Sequence, residues 1–287
     1  MEIGVIGCGA MGAGMVKNLL KHGHDVWTVD PDKETQLRMK SLGAVAVDNL
    51  SIAINRLDAV ILSLPLSHLV KEVIDPLMPC MKKGAYILDM GTTDVEVTKQ
   101  LAKHASTYSI SYFDCPVSNG PKGAEEGTLS IMVGGDVEKF TEVLPILECL
   151  GSSTTYVGPS GSGQVVKLCC NLVVAGTVTL LVEAFTTGEK AGVDPRILAK
   201  VMQSGTAKNR VFDVFGTNLL NGTEEEVLFM LNHMKKDMDL FQSLAKDRLP
   251  ERALTPVIHQ IFVEAQQEGY GKWDTTAVKK IYEKSKI

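Results

Sequence analysis

Residues 1–15 read MEIGVIGCGAMGAGM. The run Glu2–Ile6 is short and β-branched, as a buried strand should be. Gly7, Gly9 and Gly12 follow in the spacing GxGxxG, and a helical pattern covers Gly12–His22. In a strand–turn–helix of this kind the first glycine permits the tight turn and the second lets the backbone approach a pyrophosphate. The third lets the helix pack closely on the sheet. The helix N-terminus then offers N–H donors and partial positive charge to phosphates. Gly7, Cys8, Gly9, Ala10, Met11 and Gly12 are therefore candidate cofactor-binding residues.

An acid follows where that reading needs one. Asp30 ends the second strand in WTVD, and a carboxylate there accepts the ribose hydroxyls of the adenosine and repels the extra phosphate of NADP. The sequence continues Pro31, Asp32, Lys33, with no arginine adjacent, so NAD is expected in preference to NADP. Set against this is a plain turn or helix-cap role for Asp30.

Further strands are predicted at Asp25–Val29, Ala59–Leu62, Tyr86–Asp89, Tyr112–Cys115 and Leu129–Val133. Amphipathic segments lie between them, at Asp32–Leu42, His68–Met78 and Val95–His104. Alternation of this kind implies a doubly wound, Rossmann-type parallel sheet covered by helices, of α/β class. After about residue 160 helices alone are expected. One long helix runs from Gly163 to Ala191, followed by Pro195–Gln203, Glu224–Leu244, Thr255–Gln267 and Thr275–Glu283. The glycine-rich Val157–Gln164 is the natural junction. The plan is a nucleotide-binding domain over 1–160 and an all-helical substrate and oligomerisation domain over 161–287.

Composition narrows the function. Of 287 residues 45% are hydrophobic and 22% charged, the balance of a folded protein, and the net charge of −5 shows no concentrated basic run. A nucleic-acid partner is not expected. Cys8, Cys80, Cys115, Cys149, Cys169 and Cys170 form no CxxC pair, so no metal is expected, and mostly buried free thiols suit a reducing cytoplasm. The chain begins directly on the first strand, with no signal-peptide pattern. Leu168–Val182 is the most apolar stretch, but polar interruptions and the stop at Glu183 make it a buried helix in this reading, too short for a bilayer.

Three more segments carry chemistry: DCPVSNGPKGAEEGT at 114–128, GSGQVVKLCCN at 161–171 and MKKDMD at 234–239. With the N-terminal GCGAMGAGM, they resemble the 3-hydroxyisobutyrate dehydrogenase (β-hydroxyacid dehydrogenase) family over essentially the whole chain. The resemblance implies Lys167 as the catalytic acid/base, with Asn171 four residues on, on the same helix face, binding substrate and fixing the lysine. Oxidising an alcohol by hydride transfer requires a base for the hydroxyl proton. An ordinary lysine, pKa about 10.4, becomes suitable when burial and a second cation lower that value. Lys236 is the expected second cation, at the cofactor and substrate end, with Asp237 orienting it. The plain alternative for Lys167 is a solvated surface charge; its apolar neighbours weigh against that.

The resemblance also places Ser118, Asn119 and Gly120 at the substrate carboxylate, Asn119 standing where the family has glycine. Asparagine tolerates the left-handed backbone of such a turn. Its side chain is expected to intrude on the pocket or add a donor there. Leu64 and Pro65 fall where the family's loop touches the nicotinamide ribose, and Thr92 where it has a cofactor-contacting threonine. Phe212 and Phe229 are pocket walls or plain core, and Cys169 and Cys170 are packing residues. Lys208 and Arg210, in Ser204–Asp213, meet a second acidic group of the substrate or are solvated charges at a helix start.

The implied substrate is a small β- or γ-hydroxyacid with its semialdehyde, of the 3-hydroxyisobutyrate, tartronate semialdehyde, succinic semialdehyde or sulfolactaldehyde type. A homodimer or homotetramer is implied, with no membrane partner. Two rivals are an imine reductase-like enzyme, against which Lys167 argues, and a nucleotide-binding scaffold without catalysis, whose mark would be loss of Lys167 or Asn171. The 6-phosphogluconate dehydrogenases share the plan but are longer.

Overall fold

Ile3, Val5 and Ile6 of β1 (Glu2–Ile6) are almost wholly buried, because strands flank them on both sides and apolar helices cover both faces of the sheet. The structure is a computed structural model that describes residues 1–249 and 253–284. It divides into two units, Met1–Lys167 and Leu168–Ile287.

The first unit alternates strand and helix: α1 (Ala10–Lys21), β2 (Asp25–Val29), α2 (Lys33–Leu42), β3 (Val45–Ala46), β4 (Ala59–Leu62), α3 (Ser67–Ile74), β5 (Tyr86–Asp89), α4 (Val95–Ser106) and β6 (Ser111–Asp114). These strands pair in the order β3-β2-β1-β4-β5-β6, all parallel, which is a doubly wound sheet. Strand order reverses between β1 and β4, and such folds take ligands outside the carboxyl ends of the strands at that point. The GxGxxG turn leaves β1 there, and Leu64–Pro65 follow β4.

The rest of the unit departs from the purely parallel expectation. After β7 (Val117–Ser118), α5 (Gly120–Glu126), β8 (Leu129–Gly134) and α6 (Val137–Glu148) comes β9 (Gly151–Gly158). β8 runs antiparallel to β6 and β7 and parallel to β9. β9, GSSTTYVG, lies at an edge against β8 and is half-buried or exposed at every residue after Gly151, so it lacks apolar alternation.

α7 (Ser162–Lys190) starts in the first unit and continues through the second. Its 29 residues include an 18-residue window of mean hydropathy 2.1, so in length and composition it does match a membrane span, against the expectation from sequence. Half of that window is buried, as in the core helix of a globular unit. Ala175, Val178, Val182 and Phe185 belong to one apolar cluster with residues of α8 (Pro195–Ser204), α9 (Arg210–Asn221), α10 (Leu231–Ala245) and α11 (Thr255–Gln267). The opposite face of α7 is exposed at several positions. Cys169, Cys170, Val173 and Leu180 are exposed there, so these two cysteines are not packing residues and only Cys8, Cys115 and Cys149 of the six thiols are buried.

α10 starts seven residues later than the pattern suggests. Leu228 and Phe229 give their N–H groups to the buried Asp274 carboxylate, both at 2.9 Å, and Leu231 N–H goes to the Trp273 carbonyl. With those donors engaged, residues 224–230 cannot close helical turns. The C-terminal helix is likewise two pieces, a 3-10 turn Thr275–Val278 and α12 (Lys279–Lys284).

Candidate active site

The turn Gly7–Gly12 is built so that only glycine fits at two of its positions. Gly7 has φ +88, and a Cβ there would sit 2.4 Å from the Ser63 carbonyl oxygen. A Cβ on Gly12 would sit 1.9 Å from the Gly7 oxygen. Gly9 is exposed, with nothing within 4 Å of a built Cβ, so its backbone faces open space. Gly9 also caps α1 without any side-chain bond to the first turn, which carries no acid. The donors of that turn and the exposed Gly9 and Ala10 therefore fit a dinucleotide pyrophosphate.

Asp30 closes on this turn. Its Oδ2 accepts the Cys8 N–H at 2.7 Å and its Oδ1 the Asp32 N–H at 2.9 Å. The turn role weighed for Asp30 is thus filled, yet each oxygen keeps a lone pair for a ribose hydroxyl. Asp32, next along, caps α2 through the Thr35 N–H. An arginine does reach this corner, although none is adjacent in sequence: Arg38, one turn before the end of α2, donates from Nη2 to the Cys8 carbonyl at 3.0 Å.

The start of α7 is held by the sheet. The buried Asp114, last residue of β6, accepts the N–H of Gly161 at 2.8 Å and of Gln164 at 3.1 Å, so a strand carboxylate caps the helix. Gln164 in turn clasps the loop after β5, accepting from Thr93 N–H and donating to the Gly91 carbonyl. The same loop is tied from below by Asp89, which accepts from Gly91 N–H, the Thr93 hydroxyl and the Tyr112 hydroxyl. Burial pushes the Asp89 carboxyl up to about 6, with Asp114 adding to the rise, and burial raises Asp114 as well. Thr92 lies half-buried inside this clasped loop. Lys167 follows Gln164 by three residues and is 9% exposed, so it is not a solvated surface charge.

Ser118 ends β7, and Asn119 takes φ +84 as the cap of α5. The left-handed turn survives with asparagine. The Asn119 amide donates to the Thr128 carbonyl at 2.9 Å within its own unit. Gly120, φ +60, completes the turn.

In the second unit, Asn171 and the α10 pair come together. The Asn171 amide donates to Asp237 Oδ2 at 2.5 Å, and Lys236 Nζ lies 2.8 Å from Asp237 Oδ1. That second contact is an ion pair. Asp237 is buried, and one carboxylate thus fixes both residues. Phe212 is core, stacked on Phe185 at 5.5 Å, while Phe229 is partly buried in the loop before α10. Lys208 and Arg210 are both exposed, Arg210 being the first residue of α9.

Two family profiles match consecutive stretches: the NAD binding domain of 6-phosphogluconate dehydrogenase over residues 2–158, and the NAD-binding domain of NADP-dependent 3-hydroxyisobutyrate dehydrogenase over 161–282. The chain is 34% identical to 2-hydroxy-3-oxopropionate reductase of Escherichia coli (strain K12), covering 97% of this chain and 96% of that one. It is 31% identical to mitochondrial 3-hydroxyisobutyrate dehydrogenase of Mus musculus, covering 96% and 85%. Mycobacterium tuberculosis 3-hydroxyisobutyrate dehydrogenase, solved with L-serine, superposes with a TM-score of 0.89 at 26% identity over 98% of each chain. The chain belongs to the 3-hydroxyisobutyrate dehydrogenase family. It is thereby an oxidoreductase with NAD(P)-binding domains.

Sequence reasoning did not assign Asp89, Asp114, Gln164 or Arg38. Asp114 and Gln164 stand inside the motifs DCPVSNG and GSGQVVK, where a buried acid at a strand end and a glutamine in the first helical turn were the available signals. Arg38 carries no such signal. Only the curl of α2 back onto the glycine turn brings it near Asp30.

Proposed function

We propose that this member of the family is an NAD-preferring dehydrogenase that interconverts a small β- or γ-hydroxyacid and its semialdehyde. The observation that carries the proposal is the buried Lys167 on α7, one turn before Asn171, whose amide is fixed by Asp237 together with Lys236. The relatives' names support the substrate class, since one acts on 2-hydroxy-3-oxopropionate and another on 3-hydroxyisobutyrate. L-serine, held by the solved relative, is likewise a three-carbon acid with a hydroxyl on the β-carbon.

The bound nicotinamide dinucleotide supplies hydride transfer. The backbone of Gly7–Gly12 would hold its pyrophosphate, Asp30 its adenosine ribose, and Leu64, Pro65 and Thr92 would contact the cofactor further along. Ser118, Asn119 and Gly120 take the substrate carboxylate with a hydroxyl and backbone N–H groups. Lys167 removes the hydroxyl proton during oxidation and returns it to the carbonyl oxygen during reduction. Asn171 orients the substrate oxygen toward that lysine, and Asp237 keeps Asn171 and the Lys236 ammonium in place. The free thiols suit a reducing cytoplasm. Exposed apolar residues on helices of the second unit, among them Val173, Leu180, Ile197, Val201 and Val257, favour assembly with further copies.

The test is consumption of NADH and NADPH with methylmalonate, tartronate and succinic semialdehydes and sulfolactaldehyde, beside a cyclic imine. Turnover of one acid-bearing aldehyde with NADH supports the reading and names the substrate. Turnover of the imine alone, or dinucleotide binding without any turnover, overturns it.

A further inference from the structure

Two opposite charges converge on one residue of the nucleotide turn. Cys8 gives its N–H to Asp30 Oδ2 at 2.7 Å, and its carbonyl accepts from Arg38 Nη2 at 3.0 Å. The carboxylate and the guanidinium are thus anchored to the same peptide segment, between the first and second glycines of GxGxxG. Their joint presence also registers on the Cys8 thiol. The thiol is pushed up to about 12, chiefly by burial, with Asp30 adding to the rise and Arg38 opposing it.

A guanidinium has five N–H donors in a planar fork. One holds the Cys8 carbonyl, while the Arg38 side chain as a whole is exposed. It is therefore fixed in position and still open to a ligand. Asp32, the other acid of the corner, is held on the Thr35 N–H and hydroxyl as the cap of α2, and hydrogen bonding keeps its carboxyl below the usual range. The corner accordingly presents one fixed carboxylate suited to ribose hydroxyls and one fixed guanidinium suited to an oxyanion.

We propose that Arg38 is a specificity-determining residue of the nucleotide site, meeting the 2′-phosphate of NADP and offsetting its repulsion by Asp30. This rests on the NAD(P)-binding reading of the glycine turn and deepens it. The chain then discriminates between the two dinucleotides far less sharply than Asp30 alone would make it. Arg38 lies eight residues beyond Asp30, on α2, and not beside it in the loop after β2.

The experiment uses the full-length protein and two fragments that report only this corner, 5′-AMP and 2′,5′-ADP, with affinities from calorimetry. NADH and NADPH binding is followed by fluorescence in parallel. Arg38→Gln is expected to weaken 2′,5′-ADP and NADPH roughly 10-fold or more at low salt, the scale of one lost charge-assisted contact. It should leave 5′-AMP and NADH within about 2-fold. Arg38→Lys keeps the charge and should retain most of the 2′,5′-ADP affinity. The wild-type advantage should also shrink as salt rises, because the group is exposed.

Equal weakening of both fragments by Arg38→Gln would mean that Arg38 only props the Cys8 carbonyl, and would overturn the proposal. So would no change in either. If wild type binds neither fragment and neither dinucleotide, the nucleotide reading of the glycine turn itself falls. Binding of 5′-AMP and NADH with an inert Arg38 removes only the present inference.

Discussion

The glycine turn of the first unit and the Asn171–Asp237–Lys236 group of the second reach function by opposite means. The turn works by what it lacks: no Cβ at Gly7 or Gly12, where the chain crosses itself, and none at Gly9, where backbone faces outward. The second group works by what it adds, a buried carboxylate 66 residues from the asparagine it holds. A backbone site is written in local spacing and survives as a pattern. A side-chain site depends on two helices packing correctly, and its members are separate in the sequence. The first should be sensitive to the smallest added atom, and the second to the loss of one charge.

Gly12→Ala tests the first half of that contrast most severely. The added carbon would lie 1.9 Å from the Gly7 oxygen and 3.0 Å from its carbonyl carbon, so backbone must move. Loss of about 3 kcal/mol or more is expected in urea unfolding, at or beyond the upper end of overpacking costs. A variant as stable as wild type would break the close-approach account.

Asp237→Ala probes the other region. It removes the ion pair to the Lys236 ammonium, 19% exposed at the side chain, and the acceptor of the Asn171 amide. Destabilisation of about 3 kcal/mol is expected, with turnover falling too. Full stability with normal turnover would mean that the carboxylate organises nothing.

Gly9→Ala sharpens the comparison inside the turn itself. With nothing within 4 Å of the new carbon, stability should change by less than about 1 kcal/mol. Dinucleotide affinity should fall roughly 10-fold, because the methyl occupies the side from which phosphate approaches. Equal losses at Gly9 and Gly12 would merge two roles that the geometry separates.

The smallest effect concerns pH. Asp89 has its carboxyl raised to about 6 in the folded chain, from an ordinary 3.8. Between those values the native state binds the extra proton, so stability falls as pH rises through this window and levels off above it. Asp89→Asn keeps the shape and an acceptor for Gly91 N–H, and should flatten part of that slope. Asp114, raised in the same direction, adds to that slope, while His24 and His233, both lowered by burial, oppose it. A slope unchanged in the variant would remove Asp89 from the account.

What the sequence makes legible follows the same division. β1, β4 and β5 fall on the predicted residues as buried, largely apolar runs bounded by turns, and β2 as an alternating, half-buried one. β3 and β7, two residues each, are too short to show a period, and β9 is an edge strand whose Ser152–Thr155 stretch is wholly polar. Pro145 inside α6 disguises a helix, and the late start of α10 depends on Asp274, more than forty residues downstream. At the site, the glycines, Asp30, Lys167 and Asn171 stand out through motif and resemblance. The Asp114 cap, the Gln164 clasp and the reach of Arg38 are tertiary facts, created when distant strands and helices meet.

The central claim is that the buried Lys167 moves the proton. The direct measurement is NADH-dependent reduction of the semialdehyde that wild type accepts, compared with Lys167→Ala, together with NADH affinity for both proteins. Removing the acid is expected to lower kcat by at least roughly 100-fold, within the usual range for general acid–base catalysis, while NADH affinity stays within about 3-fold. Turnover near the wild-type rate in Lys167→Ala, with NADH bound normally, would contradict the assignment of the proton to this lysine.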